Sequence, residues 1–99
     1  MIKVGEHITL DIIGTTKEYD TLVYERVIHK IAKAANVTIL NISKYKFEPQ
    51  GFTILALLAE SHISFHTFPE NGIISFDFFT CGKISPSVAI DIILSLIHI

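Results

Sequence analysis

Three strand-like stretches follow one another closely in the middle of this chain. Residues 52–59 are almost continuously apolar, residues 61–67 alternate polar with apolar side chains, and residues 73–80 are again rich in β-branched and aromatic residues. Turn signals separate them, with Pro, Asn and Gly together at residues 69–72. Strands joined by tight turns pair antiparallel. The sequence therefore predicts an antiparallel-rich central sheet.

The flanking segments add two helices and two further strands. Residues 8–13 and 37–44 read as strands, the latter by simple alternation of its side chains. Residues 19–35 carry apolar side chains at helical spacing, with Asp20 or Thr21 as the cap, and Ser85 with Pro86 opens a final helix. The order β-α-β-β-β-β-α predicts an α+β fold, a two-layer sandwich with both helices on one face of the sheet.

Composition narrows the class of protein. The 99 residues predict a single domain, residues 1–99, and 49% of them are hydrophobic, more than so small a domain easily buries. We therefore expect a homo-oligomer, most simply a homodimer. A net charge of −2 without a basic run argues against a nucleic-acid partner. Neither a signal segment nor a bilayer-spanning stretch is visible, so we expect a cytoplasmic protein without a membrane partner.

Polar side chains are concentrated in and around the apolar central strands. Burying such a group without a partner costs about 1–3 kcal/mol, so this many in one hairpin unit indicates a functional site. The candidates are Thr53, Glu60, Ser61, His62, Ser64, His66, Glu70, Asp77 and Cys81.

The residues alone leave three interpretations open. His62, His66 and Cys81 could bind zinc, but two histidines four residues apart on a strand are separated by about 13 Å. Cys81 could instead form a nucleophile–base pair with a histidine. The third interpretation is a set of hydrogen-bonded core residues, which is the default for histidines outside the central strands, namely His7, His29 and His98.

Two longer motifs resemble a known family. Residues 60–70 read ESHISFHTFPE and residues 79–82 read FTCG. These motifs are similar to the signature of the prokaryotic S-adenosylmethionine decarboxylases, and GEHI at residues 5–8 resembles the N-terminal G-x-H of that family. The resemblance implies a proenzyme that cleaves itself and makes a pyruvoyl cofactor. On the strand geometry above, we expect no metal site.

The resemblance also implies how this cofactor forms. The Ser61 hydroxyl attacks the Glu60 carbonyl, and the resulting ester eliminates to dehydroalanine, which hydrolyses to a pyruvoyl group and ammonia. The products are a β chain, residues 1–60, and an α chain, residues 61–99. His66 is assigned to proton transfer in this processing, a task that imidazole performs near neutral pH. Thr53 stands where the family commonly has a processing serine, so we expect slower cleavage.

The substrate residues implied by the resemblance lie in the same region. The pyruvoyl group derived from Ser61 forms a Schiff base with S-adenosylmethionine, carbon dioxide leaves, and Cys81 donates a proton to the product. Phe47 and His66 stack on adenine, and Glu70 accepts hydrogen bonds from the ribose. Decarboxylated S-adenosylmethionine is the aminopropyl donor for spermidine synthesis.

The sequence departs from the family pattern in ways that leave alternatives open. Phe68 replaces the usual Trp, and family members usually continue beyond the final helix into a further strand, so we expect a sheet that lacks an edge strand. One alternative is a pyruvoyl-dependent decarboxylase of another amino acid, ornithine or arginine. The other is an unprocessed, inactive homologue with a regulatory or structural role.

Overall fold

The order of strands and helices confirms the predicted α+β fold. The computed structural model describes residues 4–15, 19–81 and 83–96, so that Gly82 of the FTCG motif and His98 lie outside the described residues. Its elements are β1 (Glu6–Ile13), α1 (Thr21–Ala34), β2 (Ile39–Lys46), β3 (Phe52–Leu58), β4 (Ser61–Phe68), a 3-10 turn (Pro69–Asn71), β5 (Ile73–Thr80) and α2 (Val88–Leu96).

The five described strands form one sheet in the order β1-β5-β4-β3-β2. Every neighbouring pair is antiparallel. The central strands β3, β4 and β5 follow one another in sequence, whereas α1 carries the chain from one edge strand, β1, to the other, β2. The short turns predicted from the sequence therefore build the centre of the sheet.

The hydrophobic core lies between the helices and one face of the sheet. Tyr24 of α1 is buried at its centre, with its ring edge-on to Phe52 and Phe65 at centroid distances of 5.0 and 5.1 Å. Ala89 and Ile93 of α2 belong to the same buried cluster. This packing confirms that both helices cover one face and produces the two-layer sandwich.

The N-terminus of α1 is fixed by a capping hydrogen bond. The Asp20 carboxylate accepts the backbone N–H of Leu22 at 2.9 Å, and this bond lowers the pKa of Asp20 from its ordinary value. Asp20 itself is extended, so the helix begins at Thr21 rather than at Tyr19. Of the two capping residues predicted, Asp20 or Thr21, Asp20 is the one that caps the helix.

Simple alternation along β2 is interrupted by an irregularity. The register with β3 shifts between Ile39 and Asn41, and Leu40 is 61% exposed. Ile39 and Ile42 consequently both pack against the core, although strict alternation places them on opposite faces. The predicted alternation is therefore wrong here, since an extra residue in one strand resets the side-chain direction.

The second face of the sheet remains open in the described part of the chain. Its strands present polar side chains toward β1 and β5, and partly exposed apolar ones toward β2. The latter are Tyr45, Leu55 and Leu57. Among the described residues, no helix combines the length and the apolar character needed to cross a membrane.

Candidate active site

Thr53 and His66 form the first part of the site. They are directly opposed in the register of β3 and β4, and the Thr53 hydroxyl lies 3.0 Å from Nδ1 of the imidazole. This contact engages Nδ1. The other ring nitrogen, Nε2, is therefore the one at which His66 can exchange a proton with another group. The hydroxyl is thus placed to orient the imidazole.

A cleft of about 320 Å³ surrounds this pair, a volume in the range of small-molecule sites. Phe47, 49% exposed, contributes an aromatic side chain to it, and Glu70 contributes a carboxylate. The Gln50 amide donates a hydrogen bond of 3.1 Å to one oxygen of Glu70. The residues lining the cleft are Phe47, Gln50, Thr53, His66, Thr67, Phe68 and Glu70.

The loop that carries Phe47 is held against the end of β4. The Phe47 N–H donates to the Gly51 carbonyl at 2.8 Å, and the Phe52 N–H donates to the Thr67 hydroxyl at 3.0 Å. Gly51 has a φ of +90°, and a Cβ there would meet the Thr67 carbonyl oxygen at 2.9 Å. Gly51 therefore permits the close approach that places Phe47 beside His66 in the cleft.

Ser61 and Cys81 form a second, separate part of the site. Ser61 begins β4 and is buried, and its hydroxyl accepts a long hydrogen bond of 3.4 Å from the Cys81 N–H. The Cys81 side chain is exposed. Glu60, in the hairpin turn before Ser61, has a φ of +61°. A left-handed conformation at a residue other than glycine costs about 1–3 kcal/mol, so the Glu60–Ser61 peptide follows a strained residue.

The two parts do not meet within one chain. Ser61 shares the buried, helix-covered face of β4 with Ile63 and Phe65, whereas His66 lies on the open face. His66 follows Ser61 by five residues, which corresponds to about 16 Å along a strand. The structure therefore groups Phe47, Thr53, His66 and Glu70 in one place and Glu60, Ser61 and Cys81 in another.

Asp77 gathers three side chains at a further position on the open face. Its carboxylate accepts a hydrogen bond from the Ser64 hydroxyl, and one of its oxygens lies 2.8 Å from His7 Nε2 and 3.0 Å from His62 Nε2. Burial by itself would raise the pKa of Asp77, but the hydrogen bonds from Ser64 and the two imidazoles hold it below its ordinary value.

This group differs from what the sequence predicts. His7 is 46% exposed rather than a core residue, because β1 directs Ile12 into the core and His7 to the open face. His29 is exposed on α1, so the default core interpretation is wrong for it as well. His62 and His66 have different partners, Asp77 and Thr53, and do not form the zinc site considered with Cys81.

A shallow groove of about 270 Å³ extends from His66 to Asp77. Asp11 contributes a second carboxylate to it. The residues lining the groove are Thr9, Asp11, Ser64, His66, Ser75, Phe76 and Asp77. The open face thus carries a continuous polar path between the cleft and the His7–His62–Asp77 group.

Comparison with known proteins identifies the family. A family model described as S-adenosylmethionine decarboxylase matches residues 6–98. The chain belongs to this family. It is 48% identical over 81 residues to the S-adenosylmethionine decarboxylase proenzyme of Prochlorococcus marinus (strain MIT 9313), a match that covers 80% of this chain and 65% of the relative. The chain thus spans slightly less than two thirds of that relative's length.

Two further members of the family match most of the chain. The proenzyme of Brevibacillus brevis is 36% identical over 96 residues, which cover 94% of this chain and 72% of the relative. The crystal structure of the adenosylmethionine decarboxylase from Aquifex aeolicus superposes with a TM-score of 0.81 at 35% identity, covering 96% of this chain and 81% of the other. The predicted fold and family are therefore both confirmed.

The hydrogen bonds to Asp77 predict an acid-dependent contribution to stability. A carboxylate whose folded-state pKa is lowered stabilises the fold fully above its unfolded pKa, about 3.9, and this stabilisation is lost as pH falls through the folded-state value. We expect Asp77→Asn to lower the free energy of unfolding near neutral pH by about 1 kcal/mol or less, since the site is partly exposed. The difference from wild type should shrink below about pH 4.

Urea unfolding at several pH values measures this difference. Glu48→Gln is the control, because Glu48 is an exposed carboxylate in the loop between β2 and β3. If the free energies of unfolding of wild type and Asp77→Asn change in parallel with pH, the stabilising role of these hydrogen bonds would be contradicted.

Proposed function

We propose that this chain is a pyruvoyl-dependent S-adenosylmethionine decarboxylase that cleaves itself between Glu60 and Ser61. The observation that carries the proposal is the Glu60–Ser61 turn within the family's motif, where a left-handed residue precedes a buried serine hydroxyl. Residues 1–60 would become the β chain and residues 61–99 the α chain. The product would be the aminopropyl donor of spermidine synthesis.

The turn supports cleavage in two ways. Breaking the Glu60–Ser61 peptide releases the backbone strain held at Glu60. The hydrogen bond from the Cys81 N–H restricts the direction of the Ser61 hydroxyl.

In the proposed step the Ser61 Oγ adds to the Glu60 carbonyl carbon, the C–N bond breaks as the C–O ester bond forms, and the hydroxyl proton passes to the freed amine. Loss of the Ser61 Cα proton then expels the new α-carboxylate of Glu60 and leaves dehydroalanine, which water hydrolyses to the pyruvoyl group and ammonia.

The surroundings of Ser61 fit a pyruvoyl group at this position. The residue lies at the start of a strand, where a new chain end separates from the turn, and next to the exposed Cys81. When formed, the pyruvoyl group supplies the electron sink for loss of the substrate carboxylate as carbon dioxide. We assign the return of a proton to the substrate carbon to the Cys81 thiol, since the Cys81 backbone contacts Ser61.

The cleft around Thr53 and His66 supports a nucleoside substrate. Phe47 and the His66 ring offer aromatic faces for adenine. Gln50 holds one oxygen of the Glu70 carboxylate, and the other oxygen can accept hydrogen bonds from the ribose hydroxyls. An aromatic side chain and a single carboxylate suit the adenosine of S-adenosylmethionine better than the short cationic chain of ornithine or arginine.

We further propose that the active site forms between two chains. Within one chain Ser61 and His66 are about 16 Å apart and on opposite faces of β4. A two-fold dimer could bring Ser61 and Cys81 of one chain to the His66 cleft of its partner, with each pair of chains forming two equal sites. The open sheet face, with its exposed Leu55 and Leu57, offers the apolar surface for this contact, and Ser61 would have to turn out of its buried position at the start of β4 to reach the partner's cleft.

Cleavage is tested by the intact mass of denatured protein. We expect wild type to give two fragments divided at Glu60/Ser61 and Ser61→Ala to give one full-length chain, because alanine has no hydroxyl to attack the carbonyl. Ser87→Ala, which removes an exposed hydroxyl before α2, should cleave like wild type. An uncut wild-type chain, or a cut Ser61→Ala chain, would contradict the proposal.

The substrate assignment is tested with Glu70→Gln. Loss of a charge-assisted hydrogen bond costs about 1.5–3 kcal/mol, so KM for S-adenosylmethionine should rise by about 10- to 150-fold while cleavage at Ser61 persists. Glu48→Gln removes the same charge from a neighbouring exposed residue that does not line the cleft, and should leave KM unchanged. Equal KM values for Glu70→Gln and wild type would remove Glu70 from the substrate site.

The shared site is tested by co-expressing differently tagged variants and isolating the mixed dimers. In a mixed dimer of a Ser61→Ala chain and a His66→Ala chain, the His66→Ala chain should be cleaved. This dimer should show about half the wild-type activity, because one of the two equal sites is intact. Wild type paired with the double variant Ser61→Ala/His66→Ala should be inactive. Sites formed within single chains would give the opposite results for the two pairings.

A further inference from the structure

The His7–His62–Asp77 group is an arrangement that the proposed reaction does not use. Three neighbouring strands contribute to it: β1 supplies His7, β5 supplies Asp77 and β4 supplies His62. Both histidines are opposite Phe79 in the strand register, so they flank β5 on the same face. One ring nitrogen of each histidine and a carboxylate oxygen of Asp77 all lie within 4.8 Å of one another.

The distances in this group resemble those between ligands of a metal ion. One carboxylate oxygen is 2.8 Å from His7 Nε2 and 3.0 Å from His62 Nε2. Ligands bound at about 2.1 Å to a zinc-sized ion are about 3.0–3.4 Å from their neighbours. The two imidazole–carboxylate distances therefore need to open by only a few tenths of an ångström, and the ligand atoms of the two histidines, which lie within 4.8 Å of each other, need to reach the same spacing for an ion to replace the two hydrogen-bonding protons.

We propose that His7, His62 and Asp77 bind a divalent transition-metal ion of the zinc type. Two imidazoles and one carboxylate are a ligand set that suits zinc and its neighbours rather than magnesium or calcium, which prefer oxygen ligands. His7 and His62 are 46% and 40% exposed, so an ion can enter and water can complete its coordination. The Ser64 hydroxyl donates to the other Asp77 oxygen and would orient the carboxylate.

Metal binding would join parts of the chain that are distant in sequence. It would link β1 to β4 directly beside Ser61. If the chain cleaves at Glu60/Ser61, His7 belongs to residues 1–60 and the other two ligands belong to residues 61–99, so the ion would cross-link the two products. The cross-link rests on the proposed function, whereas metal binding itself does not.

Isothermal titration calorimetry of metal-free protein with zinc chloride tests the site. The measurement uses wild type and uncleavable Ser61→Ala in parallel, so its result is independent of self-cleavage. We expect one zinc ion per chain in both. Loss of a residue that orients a metal ligand weakens metal affinity by about 10- to 100-fold. We therefore expect Ser64→Ala to weaken zinc affinity by about 10- to 100-fold. His7→Gln and His62→Gln should each weaken it by about 100-fold or more, while His29→Gln, an exposed histidine on α1, should not change it.

The absorption spectrum of the cobalt(II)-loaded wild-type protein distinguishes this site from Cys81 and needs no substitution. Nitrogen and oxygen ligands give visible d–d bands alone, whereas a bound thiolate adds an intense ultraviolet charge-transfer band. The site is supported if visible bands appear without the thiolate band and if these visible bands are lost in His7→Gln. No zinc binding at about 100 μM, binding unaffected by His7→Gln, or a thiolate band would each overturn the proposal.

Discussion

The alternation of side chains along β4 is the constraint on which the rest of the structure depends. Successive residues of a strand point to opposite faces, so Ile63 and Phe65 are buried beneath the helices while Ser64 and His66 lie on the open face. A slip of one residue would expose Phe65 and bury both polar groups. Packing of the core therefore also fixes which polar side chains meet on the other face.

The same alternation explains why the residues of the candidate site divide into two groups. Ser61 lies on the core side of the strand and contacts Cys81, whereas His66 contacts Thr53 across the open face. One strand cannot present both faces to a single substrate. The proposed dimer resolves this conflict because a second chain can bring its own Ser61 to the cleft, and it would also cover the apolar part of the open face.

Predictions from the sequence succeeded where the signal is local. The Asp20 cap and the order of elements are encoded within a few residues of where they act, and both are confirmed. The alternation across Leu40 failed because the irregularity depends on pairing with β3. The grouping of Phe47, His66 and Glu70 followed from the family resemblance, whereas the Gln50 contact to Glu70 was missed. Self-cleavage and the catalytic roles of the site residues remain predictions.

The sequence by itself determined the family, the succession of strands and helices, and the residues around Ser61 and His66, because motif and periodicity are properties of neighbouring residues. Only the tertiary structure decided that His7 meets Asp77, 70 residues away, and that both meet His62. The physical reason is that β1 pairs with β5 through a non-local register, which long-range packing selects and no local pattern encodes.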